Sequence, residues 1–455
     1  MKKTVQQVAQ WLGDTNTFDA NLVVTGISIN TRTLQPGDLF IPFKGESVNG
    51  HKYVKQAFEA GAVATLWQKD EPNMPTDVPV ILVDDAEEAL QTMAKAYRQT
   101  HQATFIGITG SNGKTSTKDL VAGTLSPYYK VQKTEGNFNN QLGLPLTILS
   151  LDEDTQFAIL EMGMDGYGQI ELLTKLARPH HVVITNIGEA HMEALGSRAG
   201  IAKAKFEIIQ GLQENGKLFY DGDEPLLQEL VAKESQLETV SFGFGTSNAM
   251  YADAIEADEF GSRFTTHGLI EGNFMIQVLG SHQVKNTLAA IGIAQAVGLS
   301  NNQIEASLKN VSLTNMRMQL VNGHNDILFI NDAYNAAPTS VRAALQFVAT
   351  TNLRKDKWIV LGDMLELGDL ELTYHRELIE AIDFNEVNQI CLYGPRMEEL
   401  YKEIQEKQPQ ANVLWTPADY EPIIQLIEKQ ADAHTLILLK GSRGMALETI
   451  LNKFQ

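Results

Sequence analysis

A chain of 455 residues is too long for one hydrophobic core and implies about three domains of ~100–200 residues each. With 43% hydrophobic and 20% charged residues it holds enough apolar surface to offset the entropy of ordering, which excludes a largely disordered chain. The 36 Lys and Arg against 56 Asp and Glu leave a net charge of -20, which argues against a nucleic-acid partner and leaves anionic small substrates only where local cations, backbone N–H groups or metal ions reverse the sign.

The start, MKKTVQQVAQWLGD, lacks the apolar stretch of a signal peptide, and no run approaches the ~18 apolar residues of a membrane span. The single cysteine, Cys391, lies in the strand-like run NQICLY and reads as a small buried hydrophobe. The expectation is a soluble cytoplasmic protein with no membrane insertion. Residues 1–84 read as a small α/β unit, with strand-like NLVVTGISI and PVILVD around a helix near HKYVKQAFEAGA. DAEEALQTMAKAYRQ has helical spacing and leads into a second unit, 85–312. There TFIGIT, a helix after Gly113, FAILEM, a helix near QIELLTKLA, HVVITNIG and a helix around GIAKAKFEIIQGL alternate. Strands that are apolar throughout and alternate with helices predict a parallel sheet of the phosphate-loop ATPase type, covered on both faces. Met250 to Gly280 is the least regular stretch and suits an antiparallel insert, after which HQVKNTLAAIGIAQAVG is a helix ending at Gly298. Over 313–455, ILFIND, SVRAALQFV, WIVLGD, NQICLYG, NVLWT and HTLILLKGS predict a second, Rossmann-like parallel sheet, with sites at the carboxyl ends of its strands.

The strongest local signal is ITGSNGKTSTKD, residues 108–119, which follows a buried-type strand and opens a helix. Gly110 and Gly113 let backbone N–H groups approach phosphate oxygens, Lys114 can reach the outer phosphates, and Thr115 can place its hydroxyl on Mg²⁺; Ser111, Asn112 and Ser116 complete the loop. The strict phosphate-loop pattern fails at its first position, Ile108. Such a loop serves ligases, switch GTPases, kinases and motors alike, but the nearest guanine-type motif, TKLA at 174–177, lacks its aspartate. Glu161 follows FAIL directly, where a carboxylate faces the loop across strand ends and can hold Mg²⁺; taken alone it is as readily a solvated cap. His191, in TNIGEAHMEALGS, and Lys205, in AKAKFEII, have bland readings of their own, a structural histidine and a solvated lysine.

Together these residues resemble the Mur ligase family, over essentially the whole chain. The resemblance implies metal ligands at Glu161 and His191 and a carbamylated lysine at Lys205. The family's adenine-side motif appears as GSHQVKNTLAA from Gly280, with His282 and Asn286 in place and Gln283 where asparagine is usual. Arg317, in NMRMQ, and Asp332, in INDAYNAAPTS, match its ribose and phosphate contacts. LGDMLELG (361–368), Tyr374-His375 and LLKGSRGMALE (438–448) resemble members that take D-alanyl-D-alanine, and the D-N-P-R motif of the members adding the third amino acid is missing. ISINTRTLQPGDLFIPFKGESVNGHKYVKQAFEAGA (27–62) resembles their first domain, to which the resemblance assigns the uridine and diphosphate, with Ser28, Thr31, Arg32, Lys44 and Gly45 as contacts; Asn30 and Asn49 stand where aspartate is typical. TEGNFNNQLGLPLTIL, from Thr134, adds Asn137 and Asn140 as sugar-peptide contacts.

The implied activity is ATP-dependent, ADP-forming amide-bond formation between D-alanyl-D-alanine and a UDP-N-acetylmuramoyl-tripeptide in peptidoglycan synthesis, with two Mg²⁺ ions and a monomer as the default. The alternative from another class is a phosphate-loop ATPase that binds or remodels a partner without ligase chemistry.

Overall fold

The apolar runs form three main sheets in the computed structural model, which describes residues 1–45, 48–189, 192–258 and 260–455. The first places Gly26–Ser28, Asp38–Phe40, Ala64–Gln68 and Val80–Val83 parallel and in chain order. Val54–Glu59 is a helix, as expected, and a short antiparallel pair, Lys3–Thr4 with Val23–Val24, stands apart from the sheet.

The helix Ala86–Thr100 starts where Asp85 accepts the N–H of Glu88 at 2.9 Å, and Glu87 and Glu88 complement its positive end. It buries Leu90, Met93, Ala94 and Tyr97, and it is tied to the central unit by Tyr97 OH donating to the Leu151 carbonyl (2.8 Å) and Arg98 Nε to that of Ala177 (2.6 Å). One apolar cluster runs from Val5, Leu39 and Leu66 through Leu90 and Met93 to Leu144, Leu160 and Val182, so the first two units share a core.

In the central sheet the parallel strands lie in the order Glu238–Gly243, Lys217–Asp221, His181–Ile184, Thr104–Thr109, Phe157–Glu161 and Val131–Lys133. Ile108 pairs with Glu161 and Thr109 with Ile184, so three neighbouring strands end at one edge. That register places the chemistry. The irregular stretch proves to be an extension of the same sheet: Met250–Asp258 joins it parallel to Glu238–Gly243, and Gly261–Gly268 and Gly272–Ile276 follow antiparallel, making the sheet mixed.

The third sheet orders Leu328–Asn331, Thr435–Lys440, Asp356–Gly362, Gln389–Tyr393 and Val413–Thr416 in parallel, as expected, and adds an antiparallel edge strand, Gln319–Asn322. That edge strand is half-buried and carries no apolar run to announce it. The sheet has cores of its own, around Ile330, Leu361 and Leu438 on one face and Phe329, Val360 and Leu439 on the other. Cys391 is fully buried, and burial pushes its thiol up to about 12. Among the described residues no helix is long and apolar enough to cross a membrane.

His181, at the start of its strand, packs edge-on against Phe219, and among the described residues its Nδ1 has no hydrogen-bond partner. Burial, reinforced by repulsion from His180 and Lys217, lowers its pKa from 6.5 to about 4. The unfolded chain therefore takes up this proton first, so its contribution to stability is intact above pH 6.5 and drains as pH falls toward about 4. The thermal midpoint is expected to fall across that window, and less steeply in His181→Gln. Identical slopes in the two proteins would assign the acid loss to other groups.

Candidate active site

The strand Thr104–Thr109 runs into a turn that ends at Gly113, where φ is +80° and the helix Lys114–Leu125 begins. A Cβ at Gly113 would stand 2.5 Å from Asn286 Oδ1, and one at Gly110 would stand 1.8 Å from Thr185 Oγ1. Glycine is thus needed at Gly113 for both conformation and space. The left-handed conformation alone costs a larger residue roughly 1–2 kcal/mol, so Gly113→Ala should weaken binding of an ATP analogue about tenfold. Calorimetric titration measures this, and an unchanged Kd would show that the loop yields freely.

The loop is pinned from the neighbouring strand end. Asn112 N–H donates to Asn186 Oδ1 (2.9 Å), while its carbonyl accepts from Asn186 Nδ2 (3.0 Å) and from Thr185 Oγ1. In the first helical turn Thr115 Oγ1 donates to Glu161 Oε2 at 2.8 Å, and Asn139 Nδ2 donates to Glu161 Oε1 at 2.9 Å. Glu161 is buried, and its N–H donates to Thr134 Oγ1 (3.0 Å) while the Thr134 carbonyl accepts from Lys118 Nζ (2.7 Å). Lys114 Nζ curls back to the Gly110 carbonyl at 2.9 Å; burial lowers its pKa despite the attraction of Glu161.

From the third unit Arg317 donates to Thr115 Oγ1 at 2.9 Å, with its guanidinium 4.3 Å from the Tyr334 ring centre. Asp332 accepts the Met318 N–H (3.1 Å) and Lys440 Nζ (2.6 Å). From the helix Ser281–Ala296, Gln283 Nε2 donates to Ser116 Oγ (3.4 Å) and its Oε1 accepts from Asn286 Nδ2 (3.0 Å). The phosphate loop, Glu161, His282, Asn286, Arg317 and Asp332 all line one cavity of about 260 Å³.

Lys205, on the helix Arg198–Phe206, is only 1% exposed, and among the described residues none bonds its Nζ. Burial, with repulsion from Lys114, holds its amine well below the ordinary lysine range. The other expected metal ligand, His191, lies outside the described residues.

Three family profiles match in series: Mur ligase family, catalytic domain over 23–98; Mur ligase middle domain over 108–294; and Mur ligase, glutamate ligase domain over 316–443. The chain belongs to the Mur ligase family. The UDP-N-acetylmuramoyl-tripeptide--D-alanyl-D-alanine ligase of Bacillus subtilis (strain 168) is 44% identical over 453 residues, which is 99% of this chain and 98% of that one. A crystal structure of MurF from Acinetobacter baumannii superposes with a TM-score of 0.89 at 28% identity, covering 100% of this chain and 98% of that one. The MurF ligase of Thermotoga maritima, crystallised in complex with ADP, gives 0.84 at 25% identity, covering 95% of this chain and 98% of that one.

The lining of the cavity in this Mur ligase fits a nucleoside triphosphate. Among the described residues Ser111 Oγ, Asn112 Nδ2 and Arg317 Nε are buried polar atoms without a hydrogen-bond partner, and all three residues line it. The Thr115 hydroxyl and Glu161 carboxylate are hard oxygen donors suited to Mg²⁺. Among the described residues no group of three or more His, Cys, Asp or Glu gathers, so a cation at this pair would complete its coordination with phosphate and water oxygens.

The expected substrate contacts lie outside this cavity. Ser28 Oγ donates to the Asn30 carbonyl (2.9 Å) in a turn, Thr31 is half-buried, Arg32 is exposed, Lys44 pairs with Asp70 (2.7 Å) and Glu71 (3.1 Å), and Gly45 N–H donates to Val48 (2.9 Å). Asn137 is exposed, and Asn140 Oδ1 is occupied by the N–H groups of Leu142 and Gly143 in the turn that starts the helix Gly143–Ser150. Asn139, between them, is the amide that reaches Glu161. Sequence reading missed Asn139, Asn186, Tyr334 and Lys440. Asn186 and Lys440 end the runs HVVITN and HTLILLK, so the strand-end rule that selects Glu161 would have found both.

Proposed function

We infer that this Mur ligase joins D-alanyl-D-alanine to the terminal carboxylate of a UDP-N-acetylmuramoyl-tripeptide at the expense of ATP, releasing ADP and phosphate and extending the peptide for peptidoglycan. One observation carries the reading: the phosphate loop, Glu161 and Arg317 meet at a single cavity in a chain 44% identical, nearly end to end, to a ligase of that name.

A carboxylate in water does not form an amide until one of its oxygens becomes a leaving group. Transfer of the ATP γ-phosphoryl group to the peptide's carboxylate makes an acyl phosphate, which the amine of the dipeptide attacks; the tetrahedral intermediate then expels phosphate. Both steps gather negative charge, so the protein's part is to position and to stabilise charge. Lys114 exchanges its bond to the Gly110 carbonyl for the β and γ phosphates, while loop N–H groups from Gly110 to Ser116 and the start of the helix receive the remaining oxygens. Thr115 and Glu161 would hold one Mg²⁺, and His191 with Lys205 a second. Bound Mg²⁺ supplies Lewis-acid neutralisation of the phosphate and acyl oxygens. Asp332 and Arg317 take the ribose and phosphates, and His282 and Asn286 the adenine side.

Lys205 is suited to carbamylation. Burial holds the pKa of its amine well below the ordinary lysine range, which favours the neutral form that attacks CO2, and loss of one proton then leaves a carbamate in place of a cation. The UDP moiety falls to Ser28, Thr31, Arg32, Lys44 and Gly45 on the first unit, with Asn137 and Asn140 toward the sugar-peptide. We divide the chain at 1–84, 85–312 and 313–455, as a monomeric cytoplasmic enzyme whose third unit closes on the other two to exclude water.

The test is a product mass from purified protein, ATP, Mg²⁺, D-alanyl-D-alanine and a UDP-tripeptide carrying lysine or diaminopimelate at its third position. The pentapeptide and ADP are expected together. ATP consumption indifferent to both peptide substrates would favour a partner-remodelling ATPase.

A further inference from the structure

Asp119 lies one turn beyond Thr115 on the helix Lys114–Leu125, with its side chain only 1% exposed. A carboxylate that deep is tolerated only with partners. Oδ1 takes Lys133 Nζ at 2.6 Å, with Lys118 Nζ at 3.8 Å, and both lysines belong to the central unit. Oδ2 takes two bonds from a single residue of the segment that leaves that unit: Thr314 N–H at 2.8 Å and Thr314 Oγ1 at 2.7 Å.

Thr314 is the near end of a short span whose far end is Arg317, and Arg317 donates back to Thr115 at 2.9 Å. One segment is thus fastened twice to one helix, at positions a turn apart. Its backbone is strained, with φ of 64° at Met316 and 51° at Met318, on either side of Arg317. Such conformations persist in residues other than glycine only where the surroundings over-determine them. Apolar contacts hold the segment on either side, Val311 and Leu313 against the central unit's core and Met318 in one cluster with Leu279, and between them Thr314 and Arg317 are placed by polar bonds.

We propose that Asp119 is a positioning residue for the ligase reaction: by holding Thr314 it sets the reach of Arg317 to Thr115 and to the phosphates beside it. The proposal rests on reading the cavity as the ATP site. Asp119 does not line that cavity and acts on it through the segment it holds.

Removing Asp119 itself would strand two lysines and endanger folding, so the test removes the other half of the contact. Thr314→Val keeps the shape, the backbone N–H bond and the Asp119–Lys133 pair, and deletes only the hydroxyl donor. It should lower kcat for pentapeptide formation about tenfold, the scale of one hydrogen bond to a charged group, with KM for ATP shifting less than about twofold. Thr314→Ser should restore the rate. In an Arg317→Ala background Thr314→Val should cost nothing further, because the contact then has nothing left to aim. An unchanged kcat, an equal loss in both backgrounds, a serine variant as slow as the valine one, or a change confined to KM overturns the proposal. Failure of the unaltered protein to make the pentapeptide would instead strike the ligase reading, so the two failures are distinguishable.

Discussion

Lys114→Met is expected to lower kcat for pentapeptide formation by about 10³-fold or more, the scale of removing a cation aimed at a transferring phosphoryl group, while raising the thermal midpoint. The two effects have one cause. Burial lowers the pKa of Lys114, so the folded protein without nucleotide holds its ammonium less comfortably than the unfolded chain does, and Glu161 only partly compensates. A methionine fills similar space without that desolvation cost. Stability lost together with activity would mark the lysine as structural, whereas gain of one and loss of the other identifies a group retained for its charge in the loaded site.

Lys205→Ala is expected to lose roughly 10²–10³-fold in kcat, as for removal of one preorganised electrostatic group, and to recover part of it when short carboxylic acids are added. The lysine is 1% exposed, has no bonding partner among the described residues, and feels repulsion from Lys114. A cation is poorly placed there and a carbamate well placed, and the cavity left by alanine gives a small carboxylate room to stand in for it. Stripping CO2 from the buffer should slow the unaltered enzyme, and bicarbonate should restore it. Full activity of Lys205→Ala with no added acid would remove the carbamate from the mechanism.

Lys114 and Lys205 both stand out in the sequence, and much of the site around them is legible there for local reasons. Strand runs such as TFIGIT and HVVITN are apolar throughout because both faces are covered, a pattern visible in a short window. The turn at Gly113 announces itself by Gly-Lys-Thr directly after an apolar strand run, and its φ of +80° is the reason that glycine stands there. Glu161 was accessible by the same logic, as the first charge after four buried apolar residues.

Where local pattern is weak, the reading faltered. The edge strand Gln319–Asn322 is half-buried and short, and so lacks both an apolar run and a clear alternation. In GNFNNQ the three asparagines are chemically equal, and nothing in a coil segment says that Asn139 turns toward Glu161 while Asn140 holds a turn. Nothing local distinguishes Asp119 from any other acid on a helix.

The amino-acid order by itself determined the strands and helices with strong apolar patterns, where the phosphate loop opens its helix, and that Glu161 stands at a strand end, because propensity and periodicity act over a few residues. Only the tertiary structure decided which of those groups meet. Strand register sets Glu161 opposite Ile108, and the docking of the third unit brings Arg317 to Thr115 and Thr314 to Asp119. Such pairings join residues far apart along the chain, and their energy comes from burial and hydrogen bonds that exist only once the sheets have assembled.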